Sequence, residues 1–138
     1  MKWMVALDQS ASATAVLEKA VALARQQNAD LVIYTVGESL MDVGDFMATG
    51  DLSEKIFESA KRIGEGYAAK AKALGLAAEL VVEGGVSPAD LILQYAEKNN
   101  IDLILLGSRA KNVLDRFLIG SIASKVVSHA HCSVLVLR

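Results

Sequence analysis

The chain of 138 residues has the length of one ordinary domain, enough to bury a core without disulfides or structural metal. Apolar residues make up 53% and charged residues 22%, which excludes disorder, and no apolar run is long enough to cross a bilayer, so membrane insertion is not expected. A formal net charge of −2 argues against nucleic-acid binding, which draws on a broad basic surface.

The first apolar run, WMVAL, ends at Asp8 too soon to serve as a signal-peptide core, and Cys132 is the single cysteine; a cytoplasmic setting is expected. Ala13, Val16, Leu17, Ala20, Val21 and Ala24 then recur at three- and four-residue spacing, predicting a helix over about residues 10–27. A second apolar run, DLVIYTV, follows. Residues 37–50, GESLMDVGDFMATG, fit neither helical nor strand period and read as a long surface loop. Beyond them, Leu52, Ile56, Ala60, Ile63, Tyr67, Ala71 and Leu74 form the stripe of a second helix ending near Gly75, a residue suited to a left-handed cap.

The third run, AELVVE, carries Glu79 and Glu83 and is the most polar, so it is placed at a sheet edge. Ser87-Pro88-Ala89-Asp90 opens a third helix, with Ser87 as cap, Pro88 in the first position where its missing N–H is harmless, and Asp90 able to reach back. DLILLG is the fourth run. The last helix is expected over about residues 120–130, with Ile122, Ala123, Val126 and Val127 as its inner stripe, and SVLVL closes the chain. Short apolar runs alternating with helical stretches predict one doubly wound α/β domain over residues 1–138, its five-stranded sheet parallel and covered on both faces.

In such sheets ligands bind outside the carboxyl ends of the strands. Gly107 ends the fourth run, and the loop Gly107-Ser108-Arg109-Ala110 is followed, nine residues on, by Gly120-Ser121 at a helix start. Two readings stand side by side here. Serine hydroxyls, the N–H groups at Gly120 and Ser121, and the charges of Arg109, Lys111 and Arg116 suit a phosphate. A plain turn with Ser121 as helix cap accounts for the same residues. Neither GxxxxGK[ST] nor GxGxxG occurs. Asp8, at the end of the first run, either accepts hydrogen bonds from a ribose or a base amine or caps the first helix, a role Ser10 can equally fill. His129, His131 and Cys132 lack the partners of a zinc site or a catalytic constellation; His129 suits a helix C-terminus and Cys132 a small apolar position. No metal site and no catalytic residue are expected.

Taken in order, ALDQS, VGE, GGVSPADLI and GSRAKNVLDRFLIGSIASKVVSHAHCSVLVLR resemble the universal stress protein family over the whole chain. The nucleotide-binding branch of that family carries G-x-x-G-x9-G-[ST]; Gly107, Gly120 and Ser121 match it, and Ala110 stands where the second glycine belongs. The resemblance implies strand order 3-2-1-4-5 and a regulatory protein of the stress response rather than an enzyme. It implies ATP or another adenine nucleotide, with or without magnesium, held by Asp8, Val36, Leu106, Gly107, Ser108, Arg109, Ala110, Gly120, Ser121 and Ile122. It also implies a homodimer through Val134, Leu135, Val136 and Leu137; as an apolar sheet edge, this strand needs cover in any case. The alternative is a nucleotide-free homodimeric interaction module, which the departure at Ala110 favours.

Overall fold

In the computed structural model, residues 1–38, 50–108 and 119–138 are described. In chain order they form β1 (Lys2–Leu7), α1 (Ala13–Gln26), β2 (Asp30–Glu38), α2 (Gly50–Ala73), β3 (Glu79–Gly85), α3 (Pro88–Lys98), β4 (Leu103–Gly107), α4 (Ser121–His129) and β5 (Ser133–Leu137). The strands make one sheet of order β3-β2-β1-β4-β5, with every neighbouring pair parallel. β1 lies between β2 and β4, pairing Val5 with Ile33 on one side and with Leu105 on the other.

Side chains alternate across the strands, so each strand feeds two cores. Val5, Leu7, Ile33 and Leu105 pack with Leu17, Val21 and Ala24 of α1 and Ala71 of α2. Met4, Tyr34, Ile104 and Leu106 pack with Ile92 and Ala96 of α3 and Val126 of α4 on the opposite face. All six residues expected on the inner stripe of α1 are buried. The polar run AELVVE forms the edge strand β3, as its glutamates suggest.

α1 and α3 end alike. Asn28 and Asn100 adopt left-handed φ values of 53° and 54°, and the apolar residue after each, Ala29 or Ile101, donates its N–H back to Ala24 or Ala96. Asparagine tolerates this conformation better than most side-chain-bearing residues, so each helix stops where an Asn-Ala-Asp or Asn-Ile-Asp sequence leads into a strand. Gly75, at φ 94°, turns the chain after α2.

Four expectations need correction. α1 starts at Ala13 rather than near Ser10, because Ser10 is engaged with Asp8. The stretch read as a loop from residue 37 yields its ends to regular structure, β2 running through Glu38 and α2 beginning at Gly50, while residues 39–49 lie outside the described residues. Leu74 falls beyond α2 and is 37% exposed. Val127, expected inside, is 48% exposed: α4 covers the edge strand β5, and among the described residues no further strand lies beyond that edge. No helix among the described residues is long and apolar enough to cross a membrane.

Candidate functional site

Above the carboxyl ends of β1, β2 and β4 a cleft of about 850 Å³, its open mouth included, is lined by residues from both halves of the sheet. This is the crevice where strand order reverses, between β1, whose helix crosses to one face, and β4, whose helix crosses to the other. Ala6, Val36, Leu106 and Ile122 give it apolar walls; Asp8, Ser10, Ser12 and Ser121 bring polar groups to it. The volume and the mixture suit a small organic ligand with a few polar handles.

Asp8 is held by Ser10 and by Tyr67. Its Oδ1 accepts both the N–H and the hydroxyl of Ser10, at 2.9 and 2.5 Å, in an Asx turn. Ser10 Oγ also lies 3.0 Å from Ser12 Oγ. From α2, the Tyr67 hydroxyl donates to the Asp8 carbonyl at 2.8 Å. Burial and then the nearby Asp8 charge raise the pKa of Tyr67, so the phenol keeps its proton for this bond. The residue at the N-cap of α1 is Ser12, without a side-chain cap bond, so neither Asp8 nor Ser10 performs the capping role weighed for it.

At the other wall, Gly107 has a packing reason to be glycine. A Cβ there would stand 2.9 Å from Cγ2 of Val16, so β4 and α1 approach too closely for a side chain. Ser108 is buried at 4% exposure, and its backbone is committed: its N–H donates to Leu137 O and its carbonyl accepts the Gly120 N–H, both at 3.1 Å. Ser108 is not among the residues lining the cleft, and the Gly120 N–H is already used. The first intrahelical bond of α4 runs from Ser124 N–H to Gly120 O, so the N–H groups of Ser121, Ile122 and Ala123 precede it and have no acceptor within the helix. Gly120 has φ −59° and ψ 159°, a conformation open to any residue.

The helices flanking the mouth are tied together. Ser87 Oγ donates to Asp90 Oδ2 at 2.8 Å, and Lys125 of α4 pairs with Asp90 Oδ1 at 2.8 Å. Hydrogen bonds from Lys125 and then Ser87 lower the pKa of Asp90. The Ser87 hydroxyl thus serves Asp90 and makes no cap bond to the backbone of α3.

Of the site residues expected from the sequence, Asp8, Val36, Leu106, Gly107, Gly120, Ser121 and Ile122 line this one cleft and Ser108 lies behind it. Arg109 and Ala110 lie outside the described residues. Sequence reasoning missed Tyr34 as a lining residue and Tyr67 as the support of Asp8. Both sit on apolar stripes, where an aromatic residue reads as core.

The profile of the Universal stress protein family matches residues 1–138. The chain belongs to this family. The universal stress protein YxiE of Bacillus subtilis (strain 168) is 31% identical over 147 residues, covering 99% of this chain and 98% of its own. Among solved structures, the universal stress protein UspA from Lactobacillus plantarum is 30% identical with a TM-score of 0.75, covering 100% of this chain and 97% of that one. The universal stress protein from Archaeoglobus fulgidus, solved in complex with dAMP, shares the fold with a TM-score of 0.73 at 21% identity, covering 100% and 98% of the two chains.

Proposed function

We propose that this protein is a regulatory adenine-nucleotide-binding protein of the stress response, acting by binding rather than by catalysis and working as a homodimer. The observation that carries the reading is the convergence of Asp8, Val36, Gly107 and Ser121, from four separate elements or their ends, on one cleft at the switch point of the sheet. Val36, Leu106 and Ile122 offer apolar contact to a base, Asp8 accepts from ribose hydroxyls, and the N–H groups at the start of α4, which have no acceptor within the helix, receive phosphate oxygens. The dAMP bound by the Archaeoglobus fulgidus relative supports the same ligand class.

Magnesium finds no site built from protein ligands alone among the described residues. Among the described residues no three His, Cys, Asp or Glu side chains gather, and Asp8 is the sole acid among the lining residues of the cleft. The homodimer forms through the edge of β5, where Val134, Leu135, Val136 and Leu137 present an apolar strand that a second copy covers. Calorimetric titration with ATP, ADP and AMP tests the binding reading, alongside mass spectrometry of small molecules released from heat-denatured protein. Ala110→Gly, which restores the family's second glycine, is expected to tighten ATP binding. Failure of both proteins to bind any of the three at millimolar concentration replaces this reading with the nucleotide-free module that Ala110 favours.

A further inference from the structure

We infer that Ser87, Asp90 and Lys125 form a latch over the inner half of the cleft: by fastening α3 and α4 to each other near their starts, they set how fast a small ligand enters and leaves. The inference rests on the cleft being the ligand site and not on which ligand it takes. Asp8, Val36 and Ser121 are half-buried or exposed, yet Tyr34, Ile92, Leu106 and Ala123, which line the same cleft, are at most 4% exposed. A ligand that uses the whole cleft therefore has to part something. All four inner residues belong to the core beneath α3 and α4. The floor of that core is held, because β1, β2 and β4 are each paired along both edges. Tyr34 is held as well, its hydroxyl donating to Glu83 Oε2 at 2.8 Å and its ring packed on Tyr95 at a centroid distance of 5.1 Å.

What remains is the seam between the two helices, to which α3 brings Pro88 and Ile92 and α4 brings Ile122 and Ala123. Across this seam Lys125 Nζ pairs with Asp90 Oδ1 at 2.8 Å, and Ser87 Oγ donates to Asp90 Oδ2 at 2.8 Å. Asp90 falls between the lining residues Pro88 and Ile92, and Lys125 comes about one turn after Ile122, so the pair joins the helices at the level of the cleft. Lys125 and Asp90 are 44% and 47% exposed, and an ion pair so wet breaks and re-forms without the fold giving way. Ser87 sets its hydroxyl on this pair and not on the backbone N–H groups of α3, the ordinary service of a serine before a helix.

The competing role for the three residues is plain stabilisation of the fold, with no consequence for entry to the cleft. Thiol labelling separates the two. In a Cys132→Ser background, which removes the chain's single cysteine, Ala123→Cys places a thiol on the inner lining and Val21→Cys places one in the opposite core under α1. Labelling by dithionitrobenzoate is followed by absorbance, with urea unfolding midpoints measured in parallel. Lys125→Met and Asp90→Asn are each expected to speed labelling of the Ala123→Cys thiol by about two- to fivefold, the range open to an exposed ion pair, and to leave the Val21→Cys thiol at its parent rate. Lys125→Arg, which keeps the charge, is expected to hold both thiols near their parent rates. Equal acceleration of both thiols makes the pair a general fastening and overturns the inference, as does an unchanged rate at Ala123→Cys. Should Ala123→Cys fail to fold, Ile92→Cys supplies the inner thiol and the same comparison decides. AMP is titrated calorimetrically into the parent as well: absence of binding removes the nucleotide reading, and the labelling rates still decide the latch.

Discussion

The hydroxyl of Tyr67, on α2, donates to the main-chain carbonyl of Asp8 at the end of β1 across 2.8 Å. This bond fixes the Asx turn of Asp8 and Ser10 from the face opposite α3 and α4, so a helix remote in sequence holds a carboxylate at the cleft. Tyr67→Phe keeps the ring packing and removes the bond. Loss of about 0.5–1.5 kcal/mol of stability is expected in urea denaturation, together with a several-fold weaker affinity for AMP. Unchanged affinity in a variant destabilised by that amount would confine Tyr67 to the core.

Gly107→Ala is expected to destabilise the fold by about 1–3 kcal/mol, because the new methyl meets Val16 Cγ2 at 2.9 Å on a helix that is packed in place. Val16→Ala removes the obstructing methyl. The double variant should then cost less than the sum of the two single changes, a coupling that a double-mutant cycle by denaturant unfolding measures. Simple additivity would mean that Gly107 is glycine for another reason.

The chain has three tyrosines, and burial raises the pKa of each of Tyr34, Tyr67 and Tyr95, with nearby carboxylates adding to it. The folded state therefore favours the neutral phenol more than the unfolded chain does. Its contribution to stability is complete below about pH 10 and is lost as pH rises through the folded-state values. Tyrosinate absorbance of the native protein should lag behind that of urea-unfolded protein in an alkaline titration, and the unfolding midpoint should fall over the same range. Coincident native and unfolded titration curves would contradict the buried placement of the phenols.

Leu135 is apolar, 37% exposed and on the outermost strand of the sheet. Leu135→Lys puts a charge on that edge without entering either core, and it is expected to convert a two-chain mass in light scattering to a one-chain mass at micromolar concentration. A parent that already has the one-chain mass removes the homodimer from the proposal.

Much of this architecture was legible before any coordinates, for a local reason. The stripe Ala13, Val16, Leu17, Ala20, Val21 and Ala24 predicts its own burial because helical periodicity is written in consecutive residues. The apolar runs became strands because a sheet covered on both faces leaves no position for alternating polar residues. Val127 misled for the converse reason: periodicity places it on the inner face of α4, but whether that face has something to cover depends on where the sheet ends.

The sequence by itself determined the order and type of the elements, the polar edge at β3, and the residues, Asp8 and Gly107 among them, that end the strands around the switch point. The tertiary structure alone decided what those residues touch. Val16 against Gly107, Ser108 shut behind the cleft by Leu137 and Gly120, Tyr67 under Asp8 and Tyr34 on Glu83 join positions far apart in the chain. Such pairings follow from how helices settle on a twisted sheet and from which hydrogen-bond groups burial leaves in need of a partner, and neither has a signature in local spacing.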